Sequence, residues 1–153
     1  MTVADAGVRP PAERTRAPWH LWLVGIVSLL WNAVGAFDYL ASQMRFEPYM
    51  SQFSEAQLAY FYGFPAWAVA AWAFGVWGGF FGSAALLLRR SWAVWLFGLS
   101  LAGLVVNTVY SFGMSEGMEI MGTGGAIFTA VIWLVAILLF FYARAQAKKG
   151  VLR

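Results

Sequence analysis

A chain of 153 residues that is 61% hydrophobic and 11% charged carries too little charge to cover a soluble surface, because soluble domains hold roughly a quarter charged residues. It has no cysteine, which excludes disulfides and thiolate metal ligands, and its single histidine excludes a His-rich metal site and bis-histidine haem within one chain. The net charge of +3 and the pI near 9.5 do not indicate nucleic acid, because the basic residues sit at the ends of apolar runs.

Residues 1–17 are polar, rich in Ala, Pro and Arg, and without apolar periodicity, which predicts a disordered tail. Four apolar runs follow, at about 19–42, 64–88, 92–113 and 120–142. Each approaches or exceeds the ~20 residues needed to span a bilayer. The expected fold is all-α: an antiparallel bundle of four transmembrane helices over residues 18–145, closed by a basic tail at 146–153. Arg14 and Arg16 ahead of Leu21–Leu30, with "AVGA" beyond, also satisfy a signal-peptide pattern. The apolar stretch continuing to Ala41 favours a retained span instead.

The first span contains "WNAVGAFDYL", in which Asn32 and Asp38 interrupt an apolar run. They sit ~120° apart around a helix and ~9 Å apart along it. Ser28, Asn32, Gly35, Tyr39 and Ser42 form a weakly polar stripe. Polar groups at such depth are expected to face the bundle rather than lipid.

The connection at 43–63 is polar but rich in aromatics. "SEAQ" fits a capping box, with Ser54 as the cap and Gln57 reaching back. Pro48 suits an earlier helical turn, Gly63 a helix end and Pro65 the start of the next helix. A short amphipathic helical segment is expected here, on the membrane surface or capping the bundle.

In the second span Gly75, Gly78, Gly79 and Gly82 form two overlapping GxxxG patterns, which predict close helix packing within the chain or against a second copy. The third span places Asn107, Thr108, Tyr110 and Ser111 in its far half. The fourth opens with "GTGG" and carries Thr123 and Thr129 near its start. Three helices thus bring polar side chains to a similar height, and Asn32, Asp38, Tyr39, Asn107, Tyr110 and Thr123 are the candidate pocket residues. Structural alternatives exist for the polar groups: Asp38 solvated or paired with Arg45, Asn32 bonded to Asn107, and Glu116 and Glu119 solvated. Trp19, Trp22, Trp67, Trp92 and Trp95 fall near span ends as an aromatic belt, while Trp31, Trp72, Trp77 and Trp133 lie deeper.

Of the 10 basic residues, all but Arg45 fall at the two termini and in the turn at Arg89–Arg90, which four spans place on one side. The positive-inside rule then predicts cytoplasmic termini. Walker A, HExxH and GxSxG patterns are lacking. No enzyme activity, metal or cofactor is expected.

Together "WNAVGAFDYL", "YFYGFPAW" and "EIMGTGG" resemble a group of small, uncharacterised bacterial four-span membrane proteins, some labelled "sugar transporter". The resemblance covers the chain from about Pro18 onward. It implies the bacterial inner membrane and a transport role, and it carries over no functional residues. Three functions compete at this point. The first is a transporter-like homodimer binding a small polar solute in an outward-facing pocket. The second is a non-transporting accessory or scaffold subunit of a larger membrane complex. The third is a binder of an amphiphile such as a quinone or lipid. The lipid bilayer is a partner in all three, and nucleic acid in none.

Overall fold

The structure is a computed structural model, and it describes residues 15–153. It is an all-α bundle with four helices long and apolar enough to cross a membrane. The first is α1, Trp19–Gln43. Two short helices follow, α2 at Glu47–Met50 and α3 at Glu55–Tyr62. The remaining spans are α4 at Ala66–Leu87, α5 at Ala93–Val109 and α6 at Gly117–Lys148. A π-helical turn, Tyr110–Met114, prolongs α5. Among the described residues there is no strand. Helices are the natural outcome in lipid, where each backbone N–H and C=O needs a partner inside the segment.

The expected tail at 1–17 lies outside the described residues as far as residue 14. Its last part is held in place. The Thr15 carbonyl accepts a hydrogen bond from Arg89 Nη2 at 2.8 Å, and Ala17 packs against the core.

Helix α4 is the centre of the bundle and packs against α1 on one side and α5 on the other. Glycines decide how near these helices come. A Cβ at Gly78 would lie 2.8 Å from the Leu96 carbonyl oxygen and the Ser100 nitrogen. One at Gly103 would lie 2.5 Å from the Ala71 oxygen and the Gly75 nitrogen, and one at Gly82 would meet the Phe97 ring at 2.9 Å. Gly75, Gly78 and Gly82 are therefore consumed by the contact with α5 inside the chain. Gly79 turns to the other side, where a Cβ would collide with the Asn32 amide of α1. Lipid gives helices no hydrophobic reason to associate, so this close backbone approach and the polar bonds it permits hold the pair.

Polar side chains tie the helices together. Ser100 Oγ donates to the Gly75 carbonyl and Asn107 Nδ2 to the Ala68 carbonyl at 3.1 Å, joining α5 to α4. Asn32 Nδ2 donates to Ser83 Oγ at 3.2 Å, joining α1 to α4. Trp133 Nε1 donates to Thr108 Oγ1 at 3.0 Å, joining α6 to α5. The fourth seam, between α1 and α6, is looser. Its side chains meet where His20 Nδ1 and the Tyr142 hydroxyl lie 2.6 Å apart, and where the Trp31 and Phe128 rings lie 6.2 Å apart.

The core sits at the end of the bundle that carries both described chain ends. There Leu21, Leu86, Phe97, Leu139 and Ala143 are buried together. The segment expected as a basic tail joins them. Helix α6 runs on to Lys148, and the chain then turns through Gly150, at φ 70°, to bury Val151 and Leu152. Arg153 N donates to the Arg89 carbonyl at 2.8 Å and Ser91 N to the Arg153 carbonyl at 2.7 Å, so the hook is stitched to the α4–α5 turn. Two apolar residues at the end of a basic sequence had a burial site within reach, and burying them drives the docking.

At the opposite end α6 is broken at Gly122, whose φ of 65° and ψ of −168° are non-helical. The expected start near Ile120 thus becomes a short helical turn, a break, and then the span.

Candidate functional site

The "SEAQ" segment forms the capping box in full. Gln57 N donates to Ser54 Oγ at 3.3 Å and Ser54 N donates to Gln57 Oε1 at 3.0 Å. That cap starts α3, and α3 lies across the bundle rather than away from it. The Tyr60 hydroxyl and Ser115 Oγ are 3.1 Å apart, and a Cβ at Gly117 would meet the same hydroxyl at 2.6 Å. Helix α2 is pinned from the other side, because the Tyr49 hydroxyl donates to Asp38 Oδ1 at 2.8 Å. Together α2 and α3 close one end of the bundle with a run of touching rings. Phe37–Tyr49, Tyr49–Phe53, Phe53–Phe61 and Tyr60–Phe64 have centroid separations of 5.2, 5.7, 5.4 and 5.1 Å.

Beneath this cap lies a partly open cavity of about 480 Å³, lined by all four spans and by α2 and α3. Its walls are mainly apolar. Polarity is unevenly distributed. Towards the cap the lining includes Asp38, Tyr49, Tyr60, Asn107, Thr108 and Ser111, with Asn32, Ser100 and Thr129 at mid-depth. Towards the chain ends it is Phe97, Ile132, Val135, Ala136 and Leu139. The cavity is itself amphipathic, wetter beneath the cap and greasy at its floor. Gly35 borders it on α1, and a Cβ there would meet nothing within 4 Å. Against Gly79 or Gly103, where a Cβ has no room, this marks real space.

The six candidate pocket residues separate into two groups. Asn32, Asp38 and Asn107 line the cavity. Tyr39, Tyr110 and Thr123 do not. Tyr39 sets its ring edge-on against Trp72 at 5.2 Å, Tyr110 packs between Phe64 and Trp67 at 4.9 and 5.3 Å, and Thr123 is exposed beside the break at Gly122. The alternatives weighed for the polar residues also resolve. Asn32 and Asn107 bond to α4, not to each other. Asp38 takes the Tyr49 hydroxyl, while Arg45 places its guanidinium 4.4 Å from the centre of the Tyr62 ring. Ser28 and Ser42 of the expected stripe are buried in helix contacts.

Sequence reading missed the contribution of the cap. Tyr49, Phe53, Tyr60 and Phe61 line the cavity, and so does Ser100. The capping box and the spacing of aromatics through 46–62 were the available signal. They fixed a helix without saying that its rings turn inward. Tyr49 also feels the site: burial first, then the hydrogen bond to the Asp38 carboxylate and its charge, pushes its phenol up to about 12. Among the described residues no group of His, Asp and Glu stands close enough to hold a metal ion.

Four apolar spans around such a cavity make this a multi-pass membrane protein. No protein-family model, curated protein or solved structure matches the chain.

Proposed function

We propose that the protein holds an amphiphile, an apolar body with one polar end, inside its bundle. In this reading the polar end lies under the α2–α3 cap and the body reaches towards Leu139. The single observation that carries it is the amphipathic cavity, roomy at Gly35, wetter under the cap and apolar at the floor. A volume of about 480 Å³ falls in the usual range of small-molecule sites, which run roughly 300–1,000 Å³. The loose α1–α6 seam supplies a lateral path from the bilayer. This supports a transporter-like exchange between lipid and the capped face, consistent with the role that the resemblance implies.

A sugar-like polar solute is less well served. Its many hydroxyls need partners throughout the site, and burying them unpaired costs free energy. Both amide donors of Asn32 and one of the two on Asn107 are already engaged in helix contacts, and the floor offers none. An accessory role docking through the cap is also less well served, because Tyr49, Phe53, Tyr60 and Phe61 line the cavity.

The basic residues Arg89, Arg90, Arg144, Lys148, Lys149 and Arg153 gather at the end of the bundle that carries the C-terminus. This supports a bacterial inner-membrane orientation with both termini cytoplasmic and the cap outside.

The test is photolabelling in nanodiscs with a diazirine-bearing monoacylglycerol. Adducts on Val76, Ile132 or Val135 are expected, which line the cavity and are not exposed to lipid, lost selectively in Gly35→Leu, at a position where a Cβ meets nothing within 4 Å. Labelling confined to lipid-facing positions such as Leu30 and Phe74, unchanged by Gly35→Leu, would sink the reading.

A further inference from the structure

The cavity's one charge narrows the ligand. Among the described residues Asp38 is the only Asp, Glu, Lys, Arg or His in the lining. It is half-buried on α1, and Tyr49 occupies Oδ1 while the described residues bring no partner to Oδ2. The nearest cation in sequence, Arg45, is engaged with the Tyr62 ring and does not line the cavity. Around the same end stand Tyr49, Phe53, Phe61, Phe64 and Trp72. Successive rings are 5.7, 5.4, 6.5 and 6.1 Å apart and inclined at 69°, 80°, 53° and 53°. None is stacked face to face on the next, and an edge-on contact engages one face of one ring in each pair.

Resting on the amphiphile reading, we propose that the ligand is a cationic amphiphile, its ammonium-type head seated between Asp38 and this aromatic wall. A half-buried carboxylate attracts a cation more strongly than a fully exposed one does. Aromatic faces add a second attraction that grows with desolvation. An anionic head meets the opposite: one carboxylate, electron-rich rings and no basic side chain. A neutral head leaves the Asp38 charge uncompensated.

The experiment compares three probes of equal chain length in neutral-lipid nanodiscs, with empty discs subtracted: dodecyltrimethylammonium, its uncharged carbon isostere, and dodecyl sulfate. The cation is expected to bind roughly tenfold or more tighter than the isostere, and the sulfate weakest. Asp38→Asn removes most of the cation's advantage over the isostere. Phe61→Leu reduces the cation more than the isostere. Tyr49→Phe, which frees Oδ1 and keeps the carboxylate, retains the cation preference and guards against reading misfolding as a loss of charge recognition. Equal affinity for cation and isostere in the wild type overturns cation selectivity and leaves the amphiphile reading standing. Tightest binding of the sulfate overturns the proposal as well. Saturable binding of none of the three overturns both.

Discussion

Gly103 of α5 lies so close to Gly75 of α4 that a Cβ on the first would stand 2.5 Å from the backbone nitrogen of the second. The contact is backbone against backbone, with no flexible side chain to yield. Gly103→Ala should therefore cost about 1–3 kcal/mol, in the range of overpacked cores. Gly35→Ala, where a Cβ meets nothing within 4 Å, should instead stabilise by up to about 1 kcal/mol through helix propensity. Thermal unfolding of the two variants in one detergent checks the opposite signs. Equal behaviour would mean that the α4–α5 approach is looser than described.

The Tyr49 phenol is held neutral beyond its ordinary range, up to about 12, by burial and by the neighbouring Asp38 carboxylate. Its value in the folded protein exceeds the unfolded one of about 10. The resulting stabilisation of the cap is present below pH 10 and fades as pH rises from about 10 to about 12. Phenolate absorbance, taken as the difference between wild type and Tyr49→Phe, should show this late titration. Asp38→Asn should lower the midpoint without returning it to an exposed tyrosine's value, because burial remains. A midpoint near 10 in the wild type would contradict the Tyr49–Asp38 bond.

Val151 and Leu152 are 3% and 4% exposed. Deleting residues 151–153 should destabilise the bundle by on the order of 3 kcal/mol, from two lost apolar side chains. The backbone bonds to Arg89 and Ser91 go with them. Replacing Lys148 and Lys149, both exposed, should have little effect. Melting temperatures in detergent separate a docked hook from a free tail.

Lacking cysteine, the chain suits single-thiol mapping. Gln52 is exposed on the cap side and Lys149 on the opposite side. With the proposed orientation, a membrane-impermeant maleimide on spheroplasts should label Gln52→Cys at once and Lys149→Cys only after lysis. The reverse pattern would invert the topology.

The α1–α6 seam is proposed as the ligand's path. Trp31→Cys with Phe128→Cys, bridged by a short bismaleimide, should slow probe exchange several-fold while the occupied fraction at equilibrium changes little. Unchanged exchange rates would direct attention to the cap.

Much of this architecture was legible in the residues. Apolar length located the four spans, the capping box located α3, and Gly75, Gly78 and Gly82 marked a close helix contact. Asn32, Asp38 and Asn107 reach the cavity because each falls on an inward face, Asp38 and Asn107 near the cap and Asn32 at mid-depth. Tyr39, Tyr110 and Thr123 lie towards the cap but not on that face, and a one-dimensional reading fixes depth better than rotation. The cap's inward turn was not legible, because it depends on Tyr49 finding Asp38 and Tyr60 finding Ser115 across long separations in sequence. The docking of Val151 and Leu152 was hidden for the same reason: local composition said basic, and a distant pocket decided the outcome.

The break at Gly122 gives α6 two parts of unequal tenacity. A helix resists bending because successive peptide groups share one hydrogen-bond ladder, and the non-helical backbone at Gly122 interrupts it. Deuterium should enter the amides of 117–123 well before those of the segment below. The capped end of the bundle is then the pliant one, able to breathe around a guest while the buried end near Leu86 and Phe97 keeps its shape.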